Sequence, residues 1–255
     1  MELLLLPILT RVLLVGARVS MLMVFAPFLG STAISGRIKI GATAALTVLL
    51  YPSFPVNSQI AMSSSWLRIL IGEMAIGLLI GLVMQFVFEG ALLAGQVLGF
   101  QMGYLLESAI DPLTQADTPV IATFHQSIVL LIFLQLNVHH WILRGLAKSF
   151  DYIGPGGVRL NSSTTTELFR VAGGIFLVGL QVAAPVLIAT FLTDLALGFI
   201  GRATPQLPVL FIGIPMKNLV GLVVLWGCLA YWPSIFEPHF ASALATTERL
   251  LHLAR

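Results

Sequence analysis

Several stretches of the chain carry no charged side chain, among them Val19–Gly36, Thr118–Leu143, Val171–Thr193 and Asn218–Phe236. This pattern limits the available folds more than any other, because a charge at mid-bilayer costs about 2.5–3.5 kcal/mol even on a lenient insertion scale. Each run approaches or exceeds the ~20 residues that carry a helix across about 30 Å of hydrocarbon. Two more segments join them with a qualification. Ile40–Leu50 is strongly apolar but runs into Pro52 and Pro55 and reads as a short helix, and Ile69–Phe88 is long enough but carries Glu73. The expected fold is all-α and polytopic, with six hydrophobic helices, up to seven elements, and some of them kinked hairpins.

Composition agrees. The 255 residues hold only 13 Lys and Arg and 11 Asp and Glu, and the mean hydropathy is +0.98. That charged share of 9% compares with roughly 25% in a soluble domain. An ordinary cytosolic fold and a disordered chain are both excluded. The net charge of +2 has no basic run behind it, so there is no footprint for nucleic acid. The lone Cys228, inside an apolar run, permits no internal disulfide.

The start, MELLLLPILTRVLLVGARVS, lacks a positive n-region, and Arg11 and Arg18 interrupt its apolar stretch. A retained first helix is expected rather than a cleaved signal. Polar connectors fall near residues 30–39, 56–67, 104–118, 144–170, 201–208 and 237–255. With six crossings, Arg68, Arg144, Lys148, Arg159, Arg170, Arg249 and Arg255 lie on one side and Arg37, Lys39, Arg202 and Lys217 on the other, a bias that favours cytoplasmic termini.

The stretch Ile69–Leu106 has no proline and reads as one long helix or a tight hairpin. At about 100° per residue, Gly81, Gln85, Glu89, Gln96, Gly99 and Gly103 fall near one direction, with Gln101 also in this polar segment. Gly95, Gly99 and Gly103, each four apart, extend a close-packing pattern. Two readings stand: a helix–helix contact with satisfied amides, or a seam facing a water-filled path. The loop that follows, Glu107 to Asp117, places Glu107, Asp111 and Asp117 between two apolar helices, with Asp111-Pro112 as a turn signal. It is either a solvated loop or a guard at a pore mouth, since Leu105, Leu106 and Ile110 interleave with the acids.

Arg11 and Arg18 share a helix face and have no obvious partner within the chain, which points to a second subunit or the headgroup zone. Asp194 and Lys217 lie towards the ends of the last two apolar runs and could pair across that hairpin. Catalytic patterns are missing: no HExxH, no G-x-S-x-G, no P-loop, and His125, His139, His140, His239 and His252 do not assemble a metal-binding spacing. No enzyme, cofactor or metal site is expected. Transport or assembly is left, with a self-contained ion or solute transporter as the alternative, using Glu73, Glu89, Asp194 and Lys217 as its path.

Four segments carry a resemblance: APFLGSTAISGRIKIGATAALTVLLYPSFP (26–55), GQVLGFQMGYLLESAIDP (95–112), PVIATFHQSIVLLIFLQLNVHHWILRGLAKSFDYIGPGG (119–157) and TDLALGFIGRATPQLPVLFIGIPMKNLVGLVVL (193–225). Together they resemble the FliR family of flagellar type III export-gate proteins, which is similar to the injectisome export proteins of the SctT type. The wording QMG followed by an Asp-Pro loop, and the block Arg202 to Lys217, are the most specific pieces. Two positions depart from the commoner pattern, Val138 where NGHHW has glycine and Pro208 where asparagine often follows PQ.

The resemblance implies a subunit that joins FliP and FliQ homologues, alongside FlhB-type and FlhA-type components, in the bacterial inner membrane at the flagellar basal body. That assembly is the portal for unfolded protein substrates. Residues 1–165 would be FliP-like and 166–255 a FliQ-like hairpin and tail. The loop Tyr104–Thr118 would plug the closed pore, with Leu105, Leu106 and Ile110 anchoring it and Glu107, Asp111 and Asp117 facing the wet lumen. Arg11, Arg18, Asp194, Arg202 and Lys217 would be candidates for subunit contacts.

Overall fold

The computed structural model describes residues 2–27, 30, 34–53, 66–104, 120–154, 156–159, 161–204, 206 and 209–254. All regular structure among them is helical. The elements are α1 (Glu2–Phe25), α2 (Gly36–Leu50) with a 3-10 turn at Tyr51–Ser53, α3 (Trp66–Gln101), α4 (Val120–Gln135), α5 (Val138–Tyr152), α6 (Ser162–Ala203), α7 (Val209–Leu229) and α8 (Trp232–Leu253).

The proline-free stretch resolves as one helix, the 36-residue α3. Its stop is encoded locally. Gly103 takes φ 88°, its amide donates to the Phe100 carbonyl at 3.1 Å, and the Tyr104 amide donates to Gly99 at 2.9 Å. This is a Schellman ending, whose left-handed position glycine fills without the steric penalty of a Cβ. Gly103 therefore terminates α3 and does not extend its glycine stripe.

The run Thr118–Leu143 is broken, not continuous. Asn137 adopts φ 55° and ψ 30°, and α4 and α5 diverge there by 67°. Asparagine is the residue type after glycine that best tolerates this region. Because the left-handed residue is 137, Val138 lies in the helix proper, fully buried, and the glycine missing at that position costs nothing.

Among the described residues, four helices are long and apolar enough to cross a membrane, at Ile8–Phe25, Trp66–Gln101, Ser162–Ala203 and Phe211–Leu229, or five if the bent α4–α5 pair is one span. The expected six is corrected on specific grounds. Val19–Gly36 is cut because α1 ends at Phe25, α2 has only 15 residues, and Asn218–Phe236 is divided between α7 and α8.

The chain forms two compact units. The first, residues 1–86, 133–173 and 240–255, packs Val19, Leu22, Ile76, Phe133, Leu146 and Phe240 in its interior. The second, residues 87–132 and 174–239, buries Ala94, Leu98, Met102, Val182, Trp232 and Phe236. Large side chains on α6 and α7 point outward: Phe176, Phe199, Phe211 and Trp226 are 70–80% exposed. In water such a surface would be untenable, whereas lipid or another apolar chain can cover it.

Candidate functional site

Each unit holds a polar cluster within an apolar setting, and together the two take up several of the charges that interrupt the hydrophobic helices. In the first, the Arg18 guanidinium on α1 is fully buried. Its Nε and Nη2 approach the same Glu73 oxygen at 2.7 and 2.5 Å, Nη1 donates to Ser149 Oγ at 2.9 Å, and Nη2 donates to the Ile153 carbonyl at 3.2 Å. The guanidinium carbon stands 4.2 Å from the centre of the Phe150 ring, a cation–π contact.

Glycine sets this geometry. A methyl group at Gly77 would overlap the Arg18 carbonyl, and one at Gly81 would press on Phe25 and Ala26 at 3.0–3.1 Å. With no side chains there, α1 lies directly on α3. Glu73, one turn before Gly77, is brought level with Arg18. The expectation that Arg18 must look outside the chain is thus corrected, because Glu73, Ser149 and Ile153 surround it. Arg11 also finds partners nearby, donating from Nη2 to the Pro52 carbonyl at 2.8 Å and lying 4.3 Å over the Tyr51 ring.

The second cluster joins the end of α3 to α6 and α7. Lys217 Nζ lies 2.6 Å from Asp194 Oδ1, and Gln101 Nε2 donates to Asp194 Oδ2 at 3.1 Å. The proposed pairing of Asp194 with Lys217 is present, and Gln101 completes it. The group is only half-buried, so water or a partner can reach the pair. Gly221 leaves room for Met102, whose Cε would lie 2.7 Å from a methyl group at that position.

The remaining seam residues divide. Gln85 and Glu89 are half-buried and both are engaged, Gly99 is buried, and Gln96 is exposed. Gly95 is the tight point of α3 against α4, where a methyl group would overlap the Ala122 Cα. Arg202, in the last turn of α6, is exposed, and its cation suits the negative end of the helix dipole there. Leu105, Leu106, Glu107, Ile110, Asp111, Pro112 and Asp117 lie outside the described residues.

Two participants escaped sequence reasoning. Ser149 has no motif around it, yet it holds Arg18 while donating to the Leu146 carbonyl at 2.6 Å. His125 is fully buried, with Nδ1 2.8 Å from the Ile121 carbonyl, so that Nδ1 carries the hydrogen. Its Nε2 has no hydrogen-bond partner among the described residues, and its ring lies 4.9 Å from Trp232. For the first cluster, charges inside apolar helices signal that partners are needed but do not name them, because α1 carries both Arg11 and Arg18 and α3 both Glu73 and Glu89. Chemically, both clusters are neutral cross-links between helices. Neither presents a nucleophile with a base beside it.

Comparison with known proteins matches residues 9–243 to the family described as Bacterial export proteins, family 1. The chain belongs to that family. Similar proteins include the flagellar biosynthetic protein FliR of Escherichia coli K12, 34% identical over 80% of this chain and 78% of its own. The FliR protein of Bacillus subtilis 168 is 30% identical over 94% of both chains, and that of Pectobacterium carotovorum 32% identical over 88% and 86%. The match extends from the middle of α1 into α8 and so includes both polar clusters.

Proposed function

We propose that this chain is a subunit of the flagellar type III export gate in the bacterial inner membrane, joining FliP-type and FliQ-type subunits to form the portal for unfolded flagellar proteins. The breadth of the family match carries this reading: residues 9–243 fit one export family, and a flagellar biosynthetic protein aligns over 94% of both chains. The outward apolar side chains of α6 and α7 support it, since an assembly would cover them. On this reading residues 1–165 form the FliP-like part and 166–255 the FliQ-like part. Asp194, Arg202 and Lys217 remain open to subunit contact, and the chain performs no catalytic step. Substrate recognition and energy come from other components, including FlhA-type and FlhB-type proteins.

In the same proposal the segment that follows the Gly103 stop, about Tyr104–Thr118, plugs the closed pore. Such a plug is a two-state element biased by an arriving substrate. The test is affinity purification from membranes, followed by the same preparation from a variant lacking residues 106–117. The expected result is co-purification of FliP-type and FliQ-type subunits in both cases, with the deletion making vesicles leaky to small ions. An assembled deletion variant with unchanged conductance overturns the plug. Recovery of the chain as a lone, transport-active oligomer overturns the export assignment in favour of a self-contained transporter.

A further inference from the structure

Arg68 and Arg159 are both exposed and make no ion pair or side-chain hydrogen bond among the described residues. They nevertheless share a hollow of about 270 Å³ in the first unit, lined by Arg68, Ile69, Gly72, Gly156, Val158 and Arg159. Its walls are built by glycine. Gly156 holds φ 76°, where a side chain would be strained, and a methyl group there would meet Ile69 at 3.1 Å. One at Gly72 would meet Val158 at 3.3 Å. The base of Arg159 is fixed, because its amide donates to the Ala254 carbonyl at 2.8 Å.

Among the described residues, no carboxylate pairs with Arg68 or Arg159. The sequence has no Asp or Glu from Pro52 to Gly72, and the next residue, Glu73, is closed up with Arg18. At roughly 30 Å³ per water, the volume holds a phosphate group with part of its hydration. Two arginines lining one space suit the oxygens of such an anion better than a neutral ligand.

The position selects the source of the anion. Arg68 is the third residue of the candidate span Trp66–Gln101, and Arg159 precedes the candidate span Ser162–Ala203 by three residues. Trp66, at the first of these ends, is 51% exposed. Tryptophan at the end of a span settles at headgroup depth, and basic pockets beside span ends are suited to anionic headgroups. We propose that this hollow binds the phosphate of an anionic phospholipid headgroup, held between Arg68 and Arg159.

The test is native mass spectrometry of the full chain purified in detergent, titrated with phosphatidylglycerol and with phosphatidylcholine, each with and without inorganic phosphate as competitor. Phosphatidylglycerol is expected to bind in preference and to resist inorganic phosphate at equal concentration. Arg68→Gln or Arg159→Gln should each weaken it about fivefold and the pair about thirtyfold, from about 1 kcal/mol per basic residue. Arg249→Gln, at an exposed arginine outside the hollow, should change nothing. The variant carrying Arg68→Lys and Arg159→Lys should keep the preference with a weaker grip, separating loss of charge from loss of fold. Equal binding of the two lipids, or no effect of the glutamine variants, overturns the site. Displacement of the lipid by equimolar inorganic phosphate, or tighter binding of an acidic peptide, overturns the lipid as its occupant.

Discussion

A guanidinium with no access to water is tolerated only where its hydrogens are answered, and Arg18 is answered by a carboxylate, a hydroxyl, a carbonyl and an aromatic face. Removing one partner of such a pair leaves the other charge buried and costs about 3–5 kcal/mol, whereas replacing both with apolar groups of similar size is often neutral. Arg18→Met should therefore strongly lower the unfolding midpoint in detergent, and Arg18→Met with Glu73→Met should recover most of the loss. A single variant as stable as the parent would show that the pair is dispensable. A second residue speaks to pH. His239 on α8 lies outside the candidate spans, with Nε2 3.2 Å from Gln181 Oε1, and burial pulls its pKa below the ordinary 6.5. The unfolded chain then binds the proton first as pH falls. The contribution of His239 is complete above pH ~6.5 and is lost below it, towards the folded pKa. His239→Gln should flatten stability measured between pH 7 and 5, and an unchanged slope would remove this residue as the cause.

At the scale of elements, the glycines of the long helices are not equivalent. Alanine is favoured over glycine inside a helix by about 1 kcal/mol, so the sign of a substitution reads the space around it. At Gly95 the added methyl group collides with the backbone of α4, and such overpacking costs about 1–3 kcal/mol. At Gly198 on α6 nothing lies within 4 Å. Gly95→Ala should lower the thermal midpoint of the isolated chain while Gly198→Ala raises it. Two shifts of the same sign would contradict the packing of α3 on α4.

Across the whole molecule, the sequence was legible where a single physical constraint acts alone. Uncharged runs exposed the helices, and the lack of proline after Ile69 narrowed that stretch to one long helix or a tight hairpin, of which the structure forms the first. The ends of helices were less legible, because they depend on one residue's φ. Asn137 and Gly103 each sit within a run that hydropathy reads as continuous, and α1 ends before a charge does. The pairing of Asp194 with Lys217 could be read from their places on neighbouring apolar runs. The pairing of Arg18 with Glu73 could not, since it depends on Gly77 letting two helices touch at a separation of 55 residues. Ser149 and His125 were illegible because a hydroxyl or imidazole acquires its role only from what surrounds it.

The length of α3 has a consequence for the membrane itself. At 1.5 Å per residue, 36 residues make about 54 Å of helix against a hydrocarbon layer of about 30 Å. Lying wholly within that layer would require a tilt of roughly 56°, beyond the usual limit of about 40°. Part of the helix must overhang, and most of that overhang is apolar. A newly inserted copy without neighbours would face a mismatch that the bilayer can relieve only by thickening around it. Capture by other subunits relieves it without deforming lipid, so the bilayer would disfavour the solitary chain and drive it towards assembly.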